Sequence, residues 1–291
     1  MLSEFVNGLQ TTQEIDNDKF DPARQQDIMA KLGILLSHNA TKFSLACKPP
    51  RQPQDAIRMV KEMSDTIYRL IGFYQEIPLN AGKVYHATYR RKVQELLRAT
   101  HHLCQTFLPE DKKEKASFMV PTATLWDLCK TLNGLPASNA RAVIQEWKLL
   151  MDTLKDCKEE VHNVVDNGVD DFEGEEDAVP LEGEALKVAK RCAQLVDVTV
   201  FLFRKIEKCF DKQDVTWLDN VYDQGKRVTD EADVLVSEIY DAEPNEMEGA
   251  VKQYAQHVTD LIQIAQEAIN GADAKIFEMC KTKLNEIITA A

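Results

Sequence analysis

Residues 138–165 read SNARAVIQEWKLLMDTLKDCKEEVHNVV, and their apolar positions, Val143, Trp147, Leu150, Leu154, Cys157, Val161 and Val164, recur at intervals of three and four. That spacing aligns them on one stripe of an α-helix, with charged residues filling the opposite face. The same period recurs on both sides. It runs through Val60, Met63, Ile67, Leu70 and Tyr74, and through Tyr89, Val93, Leu96, Thr100, Leu103 and Phe107. It returns at Val188, Cys192, Leu195, Thr199, Leu202, Ile206 and Cys209, and at Leu218, Val221, Gly225, Val228, Ala232, Leu235 and Ile239. A last seam runs from Met247 through Val251, Tyr254, Val258, Leu261 and Ala265 to Ala268. Nothing comparable alternates with a period of two, so no strand is expected.

The breaks between these stripes carry their own chemistry. Asp21-Pro22 is a capping carboxylate followed by proline at the first helical position. Lys48-Pro49-Pro50-Arg51, Ile77-Pro78 and Leu108-Pro109 end helices, because the residue before a proline is driven out of the α region. Asn133-Gly134 with Pro136 is a stop, and Ser138 a cap for the next start. Small residues on the seams, Gly225, Ala232, Ala265 and Ala268, permit close helix approach, and the methionines and aromatics on the other seams read as core. Connections this short make neighbouring helices antiparallel.

Charge divides the chain. Of 291 residues 44% are hydrophobic and 29% charged, and the net charge of -13 argues against nonspecific binding to nucleic acid. Residues 1–165 hold 22 basic and 20 acidic side chains, and residues 185–291 hold 13 and 19. Between them, 166–184 hold nine acidic side chains and no basic one, a composition that repels itself and reads as a tether. The sequence predicts an all-α protein of two antiparallel helical bundles: a flexible 1–20, a bundle over 21–165, an acidic linker over 166–184 and a bundle over 185–291. About five helices are expected in the first and about four in the second.

No catalytic constellation is present: no GxSxG, GxxxxGK[ST], GxGxxG or HExxH. The reading is of a non-enzyme without cofactor. His101 and His102 point about 100° apart on a helix and do not converge on one metal ion. The acidic stretch lacks the glycine an EF-hand loop requires at its sixth position. The seven scattered cysteines form no CxxC pair, the N-terminus does not read as a secretory signal, and no apolar run approaches a membrane span. Asn39-Ala40-Thr41 matches a glycosylation triplet but sits inside a helical pattern. Two features suit a partner. Arg90, Arg91 and Lys92 with Arg98 form a basic cluster for an acidic surface. Phe172, set among the linker acids, is an apolar anchor for docking.

Several runs resemble the cyclin-D-binding protein family, also known as Maid. They are LLSHNATKFSLACKPPRQPQDAIRMVKEMSDTIYRLIGFYQEIP (35–78), RRKVQELLRATHHL (90–103), residues 138–165 quoted above, LKVAKRCAQLVDVTVFLFRKIEKC (186–209) and residues 217–268. The resemblance implies a noncatalytic protein that binds D-type cyclins and helix-loop-helix factors in nucleus and cytoplasm, and negatively regulates cell-cycle progression or transcription. It also implies a bundle of the talin and vinculin type. The helix-loop-helix label fits the pair around Tyr240 to Met247, preceded by Asp211-Lys212-Gln213-Asp214 rather than a basic region. The family's leucine zipper has few leucines here, on the seam Leu195, Leu202, Cys209. The alternative is a vinculin-like structural adaptor that takes an amphipathic helix between its own helices.

Overall fold

The structure is a computed structural model that describes residues 20–50, 52–108, 118–168, 180–241, 244–269 and 272–289. Among these there are nine α-helices and no strand: α1 Pro22–Cys47, α2 Pro53–Gln75, α3 Lys83–Gln105, α4 Met119–Thr131, α5 Asn139–Asn167, α6 Gly183–Glu207, α7 Val215–Asp241, α8 Pro244–Ala268 and α9 Ala272–Thr289. The all-α expectation holds.

The helix starts follow the capping chemistry. The Asp21 carboxylate accepts from the amides of Ala23 and Arg24 at 3.0 and 3.2 Å, with Pro22 behind it. Ser138 Oγ accepts from Arg141 N at 3.2 Å to open α5, and Asp214 accepts from Trp217 N at 2.9 Å to open α7. Each such cap contributes about 1 kcal/mol by satisfying an amide that has no partner within its helix.

The chain forms two compact units, Met1–Ala142 and Val143–Ala291. In the first, α1 lies against α2 and α4, and α3 against α4 and α2. Polar side chains fasten the pairs. Buried Asn39 donates to Thr66 Oγ1 at 2.9 Å and to Glu62 O at 3.2 Å, so the residue of the glycosylation triplet is a core hydrogen-bonding group. Ser44 and Thr122 join α1 to α4 at 2.8 Å. Gln25 donates to Phe73 O, Gln26 to Leu135 O at 2.7 Å, and Tyr89 Oη to Pro136 O at 3.0 Å. Gln25 thus supplies a donor to a last-turn carbonyl of α2, and Gln26 and Tyr89 supply donors to carbonyls of the loop before α5. Gly82 has φ +116, left-handed backbone that glycine adopts without strain, and the Asn139 side chain fills the space where a Cβ would stand. From there Asn139 Oδ1 accepts from Tyr85 N at 3.1 Å.

The second unit is built on aromatic packing. Trp147 of α5 stacks on Phe203 of α6, with ring centroids 4.3 Å apart, and meets Phe210 edge-on at 5.1 Å. Its Nε1–H donates to Phe203 O at 3.3 Å. Gly225 of α7 lies under the same ring, where any Cβ would overlap it, which explains a glycine on that seam. Trp217 Nε1–H donates to Ile264 O at 2.9 Å, joining α7 to α8, and Tyr254 Oη donates to Thr199 Oγ1 at 2.8 Å, joining α8 to α6. Arg191 is 8% exposed; it pairs with Glu248 of α8 at 2.6 Å and donates to the C-terminal carbonyls of α9, Ile287 O at 3.0 Å and Ile288 O at 3.2 Å.

These contacts move the boundary expected at residues 165 to 185. Helix α5 belongs with the second unit from Val143 onward, because its stripe buries Trp147, Leu154, Cys157, Val161 and Val164 within that unit. The expected linker also shrinks at both ends. Asp166 and Asn167 complete α5, and Gly183 and Glu184 open α6, where Glu184 lies in the first turn and favours the positive end of the helix dipole. Residues 169–179, Phe172 among them, lie outside the described residues, as do residues 1–19. Phe20, placed in the flexible N-terminus, packs edge-on against Tyr85 with centroids 6.1 Å apart.

Two seams also shift by a residue. Val60 is exposed and Met59 takes its place inside, and Met151 rather than Leu150 is buried on α5.

Candidate functional site

The basic cluster lies on α3. One face of this helix buries Val84, Tyr85, Tyr89, Val93, Leu96 and Leu103. A helix turns about 100° per residue, so the opposite face carries Arg91 and Arg98, seven positions apart and within about 20° of each other. Arg90, Arg91 and Arg98 are exposed, and so is His102 beyond them. Arg90 is oriented by its Nε–H, which donates to the hydroxyl of buried Tyr74 at 3.1 Å. Lys92 is less open to solvent than Arg90, Arg91 and Arg98. It is only a quarter exposed and pairs with Glu95 at 2.8 Å, so its charge is offset within its own helix. The structure thus brings Arg91 and Arg98 to one exposed face, sets exposed Arg90 about 100° from Arg91 beside Tyr74, and leaves Lys92 only a quarter exposed.

The surroundings strengthen this face. The unit Met1–Ala142 carries 19 basic and 15 acidic side chains, a net of +4, whereas Val143–Ala291 carries 16 and 33, a net of -17. A basic face in a unit of net positive charge attracts acidic surfaces by steering as much as by contact.

The ionisable groups in the interior serve packing. Burial pushes the thiols of Cys104 and Cys157 up to about 11 and those of Cys129 and Cys192 up to about 12. Such thiols stay protonated and are poor nucleophiles. Among the described residues no three His, Cys, Asp or Glu side chains are grouped to hold a metal ion, and no helix is long and apolar enough to cross a membrane. The Arg191 guanidinium holds the Glu248 carboxyl below the usual glutamate range, chiefly by hydrogen bonding.

Among the described residues six methionines and aromatics off the seams are exposed: Tyr68, Met119, Trp126, Phe201, Tyr240 and Met279. Phe201 of α6 is 46% exposed and Met279 of α9 is 71% exposed. The signal was present in the sequence. Phe201 stands one residue before the seam position Leu202, on the side of the helix that carries Asp197 and Lys205. Met279 stands between Glu278 and the run Lys281-Thr282-Lys283.

Fold and surface together define an all-helical protein whose distinctive features are a charged helix face and an exposed apolar patch at Phe201 and Met279. Residues 29–167 match the family described as Grap2 and cyclin-D-interacting, N-terminal, a span from within α1 to the end of α5 that includes the whole of α3. The chain is 24% identical to an uncharacterized protein of Schizosaccharomyces pombe, over 75% of this chain and 71% of that one. It is 23% identical to the cyclin-D1-binding protein 1 homolog of Xenopus laevis, over 70% of this chain and 68% of the relative. The family match and the Xenopus relative support the cyclin-D-binding family for this protein.

Proposed function

We propose that this is a noncatalytic interaction protein that binds a D-type cyclin or a related cell-cycle protein through the open face of α3, with Arg90, Arg91 and Arg98 as the contact. The observation that carries this reading is the family match over 29–167, which contains that face entire. The Xenopus relative, named for binding cyclin D1, points the same way. By occupying a helical surface of its partner, the protein restrains cell-cycle progression or transcription, in nucleus and cytoplasm. Helix-loop-helix factors are the second class of partner that the resemblance suggests.

The test is pull-down of a purified D-type cyclin by the full-length protein, beside Arg91→Glu/Arg98→Glu. Both side chains are exposed, so the variant should fold and lose about tenfold or more in affinity, as charge reversal at a complementary surface does. Affinity capture from growing cells follows. Recovery of neither cyclins nor helix-loop-helix factors would overturn the reading, and undiminished binding by the variant would remove α3 from it.

A further inference from the structure

Arg90 is exposed, yet its guanidinium is held in place. Its Nε–H donates to the Tyr74 hydroxyl of α2 at 3.1 Å. Tyr74 is itself fully buried, and its ring meets His86 of α3 edge-on, with centroids 6.4 Å apart. The His86 ring is fixed in turn, its Nε2 lying 2.7 Å from Pro78 O in the loop between α2 and α3. A chain of packed and hydrogen-bonded groups on two helices thus sets where the Arg90 head stands.

The chemistry of the group that holds it distinguishes Arg90 from other cations of its unit. Lys31, Lys42, Arg58, Lys92 and Lys130 each pair with a carboxylate, those of Asp27, Glu62, Asp55, Glu95 and Asp127. Among the described residues Arg90 forms no such pair. A neutral hydroxyl orients a guanidinium without offsetting its charge, so that charge stays available at the surface. With Nε–H engaged, the Nη1 and Nη2 groups remain. They form a planar end-on fork that matches the two oxygens of one carboxylate.

We infer that Arg90 is a preorganised receptor for a single carboxylate on an acidic partner protein, and that Tyr74 is its positioning residue. Immobilising a long side chain normally subtracts from the contact it makes, and the Tyr74 bond has already restricted this one. The basic face of Arg91 and Arg98 steers an acidic surface toward α3, and the Arg90 fork fixes its register by a bidentate contact. The inference deepens the function proposed above and takes its acidic partner from that reading.

The experiment is fluorescence anisotropy of the full-length protein with a labelled hexaglutamate peptide, repeated with a labelled, purified D-type cyclin. Arg90→Lys keeps the charge but loses the fork, and should weaken binding by about threefold or more. Tyr74→Phe keeps the buried ring and removes only the hydroxyl. It should weaken binding by about twofold to threefold, with helix content by circular dichroism unchanged. In an Arg90→Ala background the same change should have no further effect, because the hydroxyl then has nothing to orient. An equal loss in both backgrounds would assign the hydroxyl to the fold and overturn Tyr74 as a positioning residue. Peptide binding by Arg90→Lys equal to that of wild type would mean that charge alone suffices, and the fork would be excluded. Because Arg90 is at the surface, this arm decides the matter even if Tyr74→Phe does not fold. The cyclin arm separates the two readings. Peptide binding that depends on Arg90, with no cyclin bound by wild type, would remove the cyclin and keep the carboxylate receptor. Cyclin binding that is lost in Arg91→Glu/Arg98→Glu but indifferent to Arg90→Lys would keep the cyclin and eliminate Arg90 as its contact.

Discussion

The two units solve the same packing problem with different central contacts, although both hold ring pairs and polar bonds, Phe43 on Phe107 in the first and Tyr254 on Thr199 in the second. In Met1–Ala142 the helices are fastened by amides and hydroxyls: Asn39 on Thr66, Ser44 on Thr122, Tyr89 on Pro136 O and Asn139 on Tyr85 N. In Val143–Ala291 the central contacts are the Trp147 stack and a part-buried ion pair. Neutral hydrogen bonds contribute about 1 kcal/mol each and confer register. A large aromatic buried against others contributes several-fold more through area and is less specific about partners. The surfaces differ as well, +4 against -17, so each unit suits partners of opposite sign.

The sharpest way to break the comparison is Trp147→Ala. It removes the stacking ring and one hydrogen bond, and should destabilise the second unit by about 3–5 kcal/mol. Hydrogen exchange should show loss of protection in α5 to α8 with α1 to α4 retained. Equal loss in α1 to α4 would put α5 back in the first unit.

Arg191→Ala comes next. It leaves the Glu248 carboxylate without its main partner and frees the carbonyls of Ile287 and Ile288, at a cost of about 3 kcal/mol. Denaturant unfolding should record this, with exchange rising first in α9. In the other unit, Asn139→Ala leaves the Tyr85 amide unpaired and a gap beside Gly82. It should cost about 1–2 kcal/mol, and the second unit should be unaffected.

The smallest effect is the pH dependence of the Arg191–Glu248 pair. The folded carboxyl titrates below its unfolded value, so the stability it confers is complete above the ordinary glutamate range, near 4.3, and fades as pH falls through the lower folded value. The gap in thermal midpoint between wild type and Glu248→Gln should therefore be widest at neutral pH and close on acidification. A gap that widened in acid would contradict the pairing.

Helix existence and most buried positions were legible from spacing and caps alone. The seam Leu218, Val221, Gly225, Val228, Ala232, Leu235 and Ile239 is buried throughout, because a period of three and four fixes which face of a helix leaves water. Proline and capping residues fixed where helices start, because they act on the backbone within one turn. The α3 cluster was visible as a run of charge, but Lys92 was counted with it, since sequence does not show that Glu95 answers its charge. Phe201 and Met279 stand off every seam read as core, and a hydrophobic side chain does not announce that its face is uncovered.

The destination of α5 was beyond the sequence altogether. Its stripe states that Val143 to Val164 must be buried, and the hydrophobic effect, being non-directional, does not say against what. Only the tertiary structure decides that, through the fit of one indole ring between Phe203, Phe210 and a glycine at position 225.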